Sequence, residues 1–313
     1  MDFAPDLLSN GVLRQSLVTF AATERMIAME VINSQEQLRE ALSQVRQEHK
    51  GGTIGLVPTM GGLHEGHFSL IRRCVRECGC TVVSVFLNPT QFNNPTDLAT
   101  YPHDMEEDLR ALESLGVDFA FTPTPEEMYA KGEKAPDLPL GQVAEVMEGA
   151  YRPGHFRGVV WIVGKLFRLV QPDKAYFGLK DFQQIAVIKR MIELSDDMDP
   201  EIISCDTIRE PEGLAMSSRN NRLSPEERQA APMIYRALTE GVRAQREGSS
   251  VSEVHDLVVR EIEASPLLRV EYFSIVDRDT LGEISDWSET EHAVGAITVY
   301  DGEVRLIDHI DFF

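Results

Sequence analysis

Residues 53–70, TIGLVPTMGGLHEGHFSL, constrain the fold of this chain more than any other stretch. The β-branched and apolar run from Thr53 to Val57 is typical of a buried strand. Pro58 ends that strand, and the two glycines that follow allow a tight turn of the backbone. Apolar residues return at helical spacing after His67. The stretch therefore predicts a strand, a glycine turn and a helix that begins directly at the turn.

Two histidines lie where this helix is predicted to begin. His64 and His67 flank Gly66, and a spacing of three places both rings on one face of the helix. The first turn of a helix offers free backbone N–H groups and a partial positive charge, which attract phosphate. His-x-Gly-His at this location is the nucleotide-binding signature of nucleotidylyltransferases and class I synthetases, and it predicts ATP as the ligand. The alternative is that the histidines only cap the helix.

Two other phosphate or metal motifs are excluded by their spacing. The zinc protease motif His-Glu-x-x-His needs one more residue than the chain has between Glu65 and His67. A P-loop is excluded because five residues separate Gly158 from the next glycine and because Leu166 stands where Ser or Thr is required.

The charge of the chain excludes one class of partner. Its 313 residues include 51 acidic and 30 basic side chains, a net charge of −21. Such a field repels nucleic acid, and no basic stripe interrupts it, so we expect no nucleic-acid partner. No apolar stretch approaches the roughly 20 residues of a membrane span, so we expect no membrane partner. Cys74, Cys78 and Cys80 lack a clear fourth metal ligand and are interpreted as reduced packing residues of a cytoplasmic protein; a metal site is the alternative.

The order of elements predicts the fold class. Strands alternate with helices up to residue 208, which indicates an α/β protein with a doubly wound, Rossmann-like parallel sheet. Further strands of this sheet are predicted at Thr81–Leu87, Phe119–Phe121, Ala175–Phe177 and Ile202–Ile208. Three segments follow from this pattern: a poorly ordered N-terminal extension (1–28), the ATP- and substrate-binding domain (29–208) and a smaller α+β domain (209–313).

The smaller domain is predicted from a second pattern. Two long helices are followed by short apolar strands. The helices are predicted at Pro225–Arg246 and Val251–Ala264, and the strands at Val270–Val276, Ala293–Tyr300 and Val304–Ile307.

Six stretches carry a resemblance to a known family when they are taken together and in order. They are Pro58–His67 (PTMGGLHEGH), Asn88–Phe92 (NPTQF), Tyr101–Pro102, Gly154–Val159 (GHFRGV), Phe177–Gln184 (FGLKDFQQ) and Gly213–Asn220 (GLAMSSRN). From about Met29 onward the chain resembles the pantothenate synthetase (pantoate–β-alanine ligase) family, within the His-x-Gly-His nucleotidylyltransferase superfamily. Gly62 departs from a common alanine, and Arg222 from a usual aromatic residue.

The resemblance implies a two-step, AMP-forming ligation. The carboxylate of pantoate attacks the α-phosphate of ATP, giving pantoyl adenylate and pyrophosphate, and the amine of β-alanine then displaces AMP to form pantothenate. Adenylation supplies a leaving group that a free carboxylate lacks, so the protein mainly positions the reactants and neutralises phosphate charge. The resemblance also implies Mg²⁺ and a homodimer.

Site residues follow from the matched motifs. His64, His67 and Lys180 are implied as catalytic, with His67 as the proton donor. ATP contacts are implied for Met60, Gly61, His64, Gly66, His67, Gly178, Leu179, Lys180, Asp181, Ile208, Met216, Ser217, Ser218 and Arg219. Met60, Gln91 and Gln184 are implied for pantoate and β-alanine, and Glu107 with Asp108 for the metal. On the residues alone, Asp181 could instead cap a helix, and Glu107 could pair with Asp104 in a cap.

Two rival functions remain. Another nucleotidylyltransferase would release a stable nucleotide-linked product, but it is not expected to carry the amide pair Gln91 and Gln184. A non-catalytic nucleotide-binding module would bind ATP without releasing pyrophosphate, and the joint presence of His64, His67 and Lys180 disfavours it.

Overall fold

The computed structural model describes residues 28–48 and 52–313. The predicted N-terminal extension, residues 1–28, lies outside the described residues apart from Ala28. We refer below to residues 28–208 as the N-terminal part and to residues 209–313 as the C-terminal part.

The N-terminal part is built on one parallel sheet of six strands in the order β1-β4-β3-β2-β5-β6. The strands are β1 (Glu30–Ile32), β2 (Ile54–Thr59), β3 (Cys80–Val85), β4 (Phe119–Phe121), β5 (Lys174–Gly178) and β6 (Glu201–Cys205). From β2 the sheet extends through β3 and β4 on one side and through β5 and β6 on the other. The predicted doubly wound parallel sheet is therefore confirmed, and β2 lies at its centre, where such sheets bind ligands beyond their carboxyl ends.

Helices cover both faces of this sheet. They are α1 (Gln35–Glu48), α2 (Glu65–Glu77), α3 (Pro95–Ala99), α4 (Met105–Ser114), α5 (Pro125–Met128), α6 (Glu148–Tyr151), α7 (His155–Val170) and α8 (Phe182–Glu193). One apolar core lies under α1, α7 and α8, and a second lies under α2 and α4. Short 3-10 turns lie at Pro89–Gln91, Gly141–Ala144, Leu179–Asp181, Ser218–Arg222 and Trp287–Glu289.

Helix α2 packs very closely on β2. A Cβ atom at Gly55 would lie 2.3 Å from Sγ of Cys74 and 2.7 Å from Sγ of Cys78, so only glycine fits there. All four cysteines are buried and form no disulfide. Among residues 28–48 and 52–313, no group of three or more His, Cys, Asp or Glu side chains could hold a metal ion. The side chains of the four cysteines pack in the two apolar cores of the N-terminal part, and their assignment as residues that bind no metal stays a prediction.

The C-terminal part has a core of its own. An antiparallel sheet of β7 (Leu268–Asp277), β8 (Ala293–Asp301) and β9 (Val304–Asp311) packs against α9 (Pro225–Ala230), α10 (Met233–Arg246) and α11 (Val251–Glu263). The prediction of a single helix over Pro225–Arg246 was wrong. The helix breaks at Ala231–Pro232 because proline has no N–H to donate and its ring clashes with the carbonyl four residues before it.

No helix in the described part of the chain is long and apolar enough to cross a membrane.

Candidate active site

A cavity of about 580 Å³ opens beyond the carboxyl ends of β2 and β5. Its walls come from both parts of the chain. The N-terminal part contributes the turn after β2, the loop after β3 and the loop after β5, and the C-terminal part contributes the turn around Ser217 and side chains of the antiparallel sheet. The cavity is therefore where a doubly wound sheet is expected to bind its ligand.

The two histidines cap α2 with one ring nitrogen each. His64 is the N-cap residue, and its Nδ1 accepts a hydrogen bond from the backbone N–H of Gly66 at 3.2 Å. Nδ1 of His67 accepts in turn from the backbone N–H of His64 at 3.3 Å. A neutral imidazole that accepts at Nδ1 carries its proton on Nε2. Capping and ligand binding are therefore compatible, since each ring keeps an Nε2–H donor.

Burial keeps both imidazoles neutral. It lowers the pKa of His64 to about 4, and the nearby ammonium of Lys180 acts in the same direction. Burial also holds the pKa of His67 well below its usual value, with further repulsion from His64 and Lys180. At pH 7 the pair thus offers two hydrogen-bond donors and no net charge. Among the side chains, positive charge for a phosphate has to come from lysine or arginine.

The glycine turn between β2 and α2 needs glycine at both positions. Gly61 and Gly62 have φ angles of +81° and +62°, which side chains rarely adopt. A Cβ atom at Gly62 would also lie 2.2 Å from the carbonyl oxygen of Pro102. Asp108 fixes the turn, since its Oδ2 and Oδ1 accept hydrogen bonds from the backbone N–H groups of Gly62 and Leu63 at 2.9 and 2.8 Å.

This role of Asp108 corrects the predicted metal site. Both carboxylate oxygens of Asp108 are engaged by the glycine turn, and the residue is only 3% exposed. Glu107 is exposed to solvent, and its backbone N–H donates to Oδ1 of the N-cap residue Asp104. Neither carboxylate lines the cavity. The pair does not fit a metal that would act there.

Most of the other predicted residues are brought together around the cavity. It is lined by Met60, His64, Gly66, His67, Gln91, Gly178, Lys180, Asp181, Gln184, Ile208, Met216, Ser217, Ser218 and Arg219. Gly61 shapes the turn without lining the cavity, and Leu179 packs against the core instead. Asp181 makes no capping hydrogen bond to α8, so the alternative role considered for it is not observed.

Two of the predicted substrate residues, Met60 and Gln91, are in contact with each other, and Gln184 also lines the cavity. Oε1 of Gln91 accepts from Nδ2 of Asn88 at 2.9 Å, which orients the amide, and Nε2 of Gln91 contacts Sδ of Met60 at 3.1 Å. A thioether is a weak acceptor, so this N–H can donate to a ligand oxygen instead at little cost in free energy. The backbone carbonyl of Gln91 accepts from Nδ1 of His155 at 2.8 Å, assigning the proton of that ring to Nδ1.

The turn at Ser217–Arg222 is fastened to the glycine turn. Oγ of Ser218 donates to the carbonyl of Gly62 at 2.9 Å, and the hydroxyl of Tyr101 lies 3.4 Å from the same Oγ. Arg219 forms an ion pair with Asp97 at 2.6 Å. These contacts place a loop of the C-terminal part directly beside the N-terminus of α2.

Several side chains at this site were missed by sequence reasoning. Asp97, Arg152 and Arg305 line the cavity, and the two arginines share the buried carboxylate of Glu148. Burial alone would raise the pKa of Glu148, but Arg305 and Arg152 outweigh it and hold the pKa well below its usual range. The arginine partners of Asp97 and the glutamate partner of Arg305 are more than 100 residues away in sequence, so no local pattern could have revealed these two contacts. Arg152, in contrast, is only four residues from Glu148.

Comparison with known proteins identifies the family. The model of the pantoate–β-alanine ligase family matches residues 30–311. A pantothenate synthetase of Porphyromonas gingivalis is 51% identical over 284 residues, covering 91% of this chain and 99% of the relative.

Two solved structures are similar over the same length. The pantothenate synthetase of Thermus thermophilus is 42% identical with a TM-score of 0.83, covering 91% of this chain and 100% of that one. The pantoate–β-alanine ligase of Francisella tularensis, complexed with β-γ ATP and β-alanine, is 33% identical with a TM-score of 0.74, covering 91% and 98%. The chain described here belongs to the pantoate–β-alanine ligase family.

Proposed function

We propose that the cavity condenses pantoate with β-alanine through a pantoyl-adenylate intermediate, with release of pyrophosphate and then AMP. The observation that carries this proposal is that two neutral imidazole donors at the start of α2 share one cavity with the amides of Gln91 and Gln184. A nucleotide and a small hydroxy acid can therefore lie side by side. The Francisella tularensis relative, solved with β-γ ATP and β-alanine, supports the substrate assignment.

In the first step, charge develops on the phosphate oxygens as the carboxylate attacks. Nε2–H of His64 and Nε2–H of His67 point away from the helix cap and can donate to those oxygens, with His67 as the proposed proton donor. Lys180 supplies a positive charge. Among the lysines of the described residues, Lys165 and Lys174 are the ones paired with a carboxylate, so the ammonium of Lys180 is left for the ligand. Fixed donors of this kind stabilise a transition state because they need no reorganisation.

In the second step, Gln91 and Gln184 hold the acyl group while the amine arrives. Asn88 fixes the amide of Gln91, and the N–H that contacts Met60 can donate to a substrate oxygen instead. Holding the two reactants in contact replaces a collision in solution by an intramolecular step. AMP is the leaving group. Its phosphate is already bound by the imidazole and lysine donors of the first step when the bond to the acyl group breaks.

Mg²⁺, a homodimer, a cytoplasmic location and a lid role for residues 209–313 belong to the proposal through the family resemblance. Apart from a second copy of the chain, the proposed partners are small-molecule substrates, with no nucleic acid or membrane. Because Glu107 and Asp108 do not face the cavity, no step is assigned to a metal held by them.

The test is to measure pyrophosphate release from ATP and Mg²⁺ with pantoate, in the presence and absence of β-alanine. We expect release that requires pantoate, with sustained turnover and free AMP only when β-alanine is added. Release of pyrophosphate with a stable nucleotide-linked product would favour another nucleotidylyltransferase. ATP binding without pyrophosphate release would favour a non-catalytic module.

A further inference from the structure

One aspartate at the rim of the cavity holds two arginines. Oδ1 of Asp97, on α3, accepts from Nη1 of Arg222 at 2.9 Å and from Nε of Arg219 at 3.2 Å. Oδ2 of Asp97 accepts from Nη2 of Arg219 at 2.6 Å. All three side chains line the cavity, and each is about one-fifth exposed, at 20–23%.

Positive charge is in excess in this cluster. Two guanidinium groups face one carboxylate, and within the described part of the chain neither arginine has a second carboxylate within 4.0 Å. Arg219 lies over the ring of Tyr101, with 5.4 Å from its Cζ to the ring centroid. One unit of positive charge is thus left facing the cavity of a chain whose net charge is −21.

The guanidinium groups also keep unused donors. Arg219 turns Nε and Nη2 toward Asp97 and leaves Nη1, whereas Arg222 uses Nη1 and leaves its edge of Nε and Nη2. No hydrogen bond from these remaining nitrogens is found among the described residues. A guanidinium edge with two parallel N–H groups matches the spacing of two phosphate oxygens.

The position of the Asp97 cluster indicates which anion can bind there. Arg219 follows Ser218, whose hydroxyl is bonded to Gly62, and Gly62 leads within two residues to the N-cap of α2. The arginine pair therefore borders the end of the cavity where the imidazole donors lie. A polyphosphate is the anion that can span from those donors to the arginines.

We propose that Arg222 is a second phosphate-binding arginine, and that Asp97 is the positioning residue that holds Arg222 and Arg219 as a pair toward the β- and γ-phosphates of ATP. This inference rests on the proposed function for the identity of the ligand. Asp97 neutralises one of the two positive charges and fixes the direction of both groups, and the remaining charge is available to the phosphates.

The experiment compares Arg222→Gln and Arg222→Lys with wild type, using calorimetric binding of a non-hydrolysable ATP analogue with Mg²⁺. Loss of one charge-assisted contact predicts binding about tenfold weaker for Arg222→Gln. Arg222→Lys keeps the charge but loses the two-pronged geometry, so its affinity is expected to lie between the two. Arg228→Gln is the matched control, since Arg228 lies on the nearby helix α9, pairs with Glu210 and does not line the cavity.

Asp97 is tested in the same assay. Asp97→Asn is expected to weaken analogue binding by up to about fivefold, as is typical of a partly exposed ion pair, and Asp97→Glu is expected to restore part of the loss. Tighter binding by Asp97→Asn would show that Asp97 only competes with phosphate, and it would overturn the positioning role. Wild-type affinity of a folded Arg222→Gln variant would overturn the role of Arg222.

Steady-state constants separate this inference from the proposed function. In an active enzyme, Arg222→Gln should raise KM for ATP and leave KM for pantoate unchanged. A rise in both constants by the same factor would indicate a merely structural role and would count against the proposal. If wild type binds the analogue but never releases pyrophosphate with pantoate, the proposed function fails while the binding comparison still decides the role of Arg222.

Discussion

Two carboxylates, Glu148 and Asp97, join the N-terminal and C-terminal parts of this protein, but the ion-pair networks around them differ in net charge. Glu148 lies on α6 and forms ion pairs with Arg305 of β9 at 2.7 Å and with Arg152 at 3.2 Å. Arg305 is also bonded to Glu271, so two arginines meet two glutamates. Asp97, in contrast, is the single carboxylate for Arg219 and Arg222.

The difference lies in what remains available after the contact has formed. Glu148 additionally accepts hydrogen bonds from the hydroxyls of Tyr272 and Thr298 at 2.9 and 3.0 Å, and its side chain is 10% exposed. Its network is balanced and nearly closed, so it serves to hold the two parts together. The Asp97 cluster borders the cavity with positive charge in excess. Ion pairs of the same type can thus stabilise a fold at one place and prepare a binding surface at another.

The sharpest way to break this comparison is Glu148→Ala. Removing the carboxylate leaves the buried guanidinium of Arg152 without a carboxylate partner and leaves Arg305 with Glu271 alone. Breaking a buried ion pair in this way typically costs about 3–5 kcal/mol of unfolding free energy. Chemical denaturation measures the loss. Glu193→Ala, which removes an exposed ion pair with Arg190, is the control and should unfold like wild type. A Glu148→Ala variant as stable as wild type would contradict the structural role of the network.

His67→Ala tests the imidazole donors at the start of α2. Loss of one fixed donor to the transition state is expected to lower turnover by on the order of 10²-fold. Pyrophosphate release measures the effect in a variant shown to be folded, with the exposed His292→Ala as control. Turnover close to wild type would remove His67 from the mechanism.

The pH dependence of stability tests whether His64 is neutral in the folded protein. His64 has a folded pKa of about 4. The unfolded chain therefore binds more protons than the folded one between that value and the unfolded pKa of about 6.5. The contribution of His64 to stability is complete above the unfolded value and is lost as the pH falls toward 4.

Denaturation at a series of pH values measures this slope. His64→Gln cannot take up the proton, so the slope between pH 6.5 and 4 should be shallower in that variant. An equal slope in both proteins would show that His64 does not carry the effect.

The smallest expected effect is that of Asp97→Ala on stability. The pair is partly exposed, and such pairs contribute about 0.2–1 kcal/mol. Set beside Glu148→Ala in the same denaturation experiment, this variant sharpens the contrast between the two regions. A loss as large as that of Glu148→Ala would mean that both clusters serve mainly to hold the fold.

Sequence reasoning succeeded where the information is local. The parallel strands, the glycine turn and the imidazole pair are specified by neighbouring residues, so the sheet and the position of the cavity could be predicted. It failed where partners are distant: Glu148 and Arg305 are 157 residues apart, and Asp108 bonds the glycine turn 45 and 46 residues before it. The helix over Pro225–Arg246 was mispredicted because its apolar spacing continues through Pro232, although proline interrupts the hydrogen bonds.

The double duty of His64 and His67 limits how evolution can alter the start of α2. Asparagine or serine could still accept the backbone N–H, but neither has a second nitrogen on the far side of a ring to reach a ligand. Lysine or arginine could reach the ligand, but neither can accept the N–H. None of these four substitutions preserves both tasks, so each of them is opposed by folding or by chemistry.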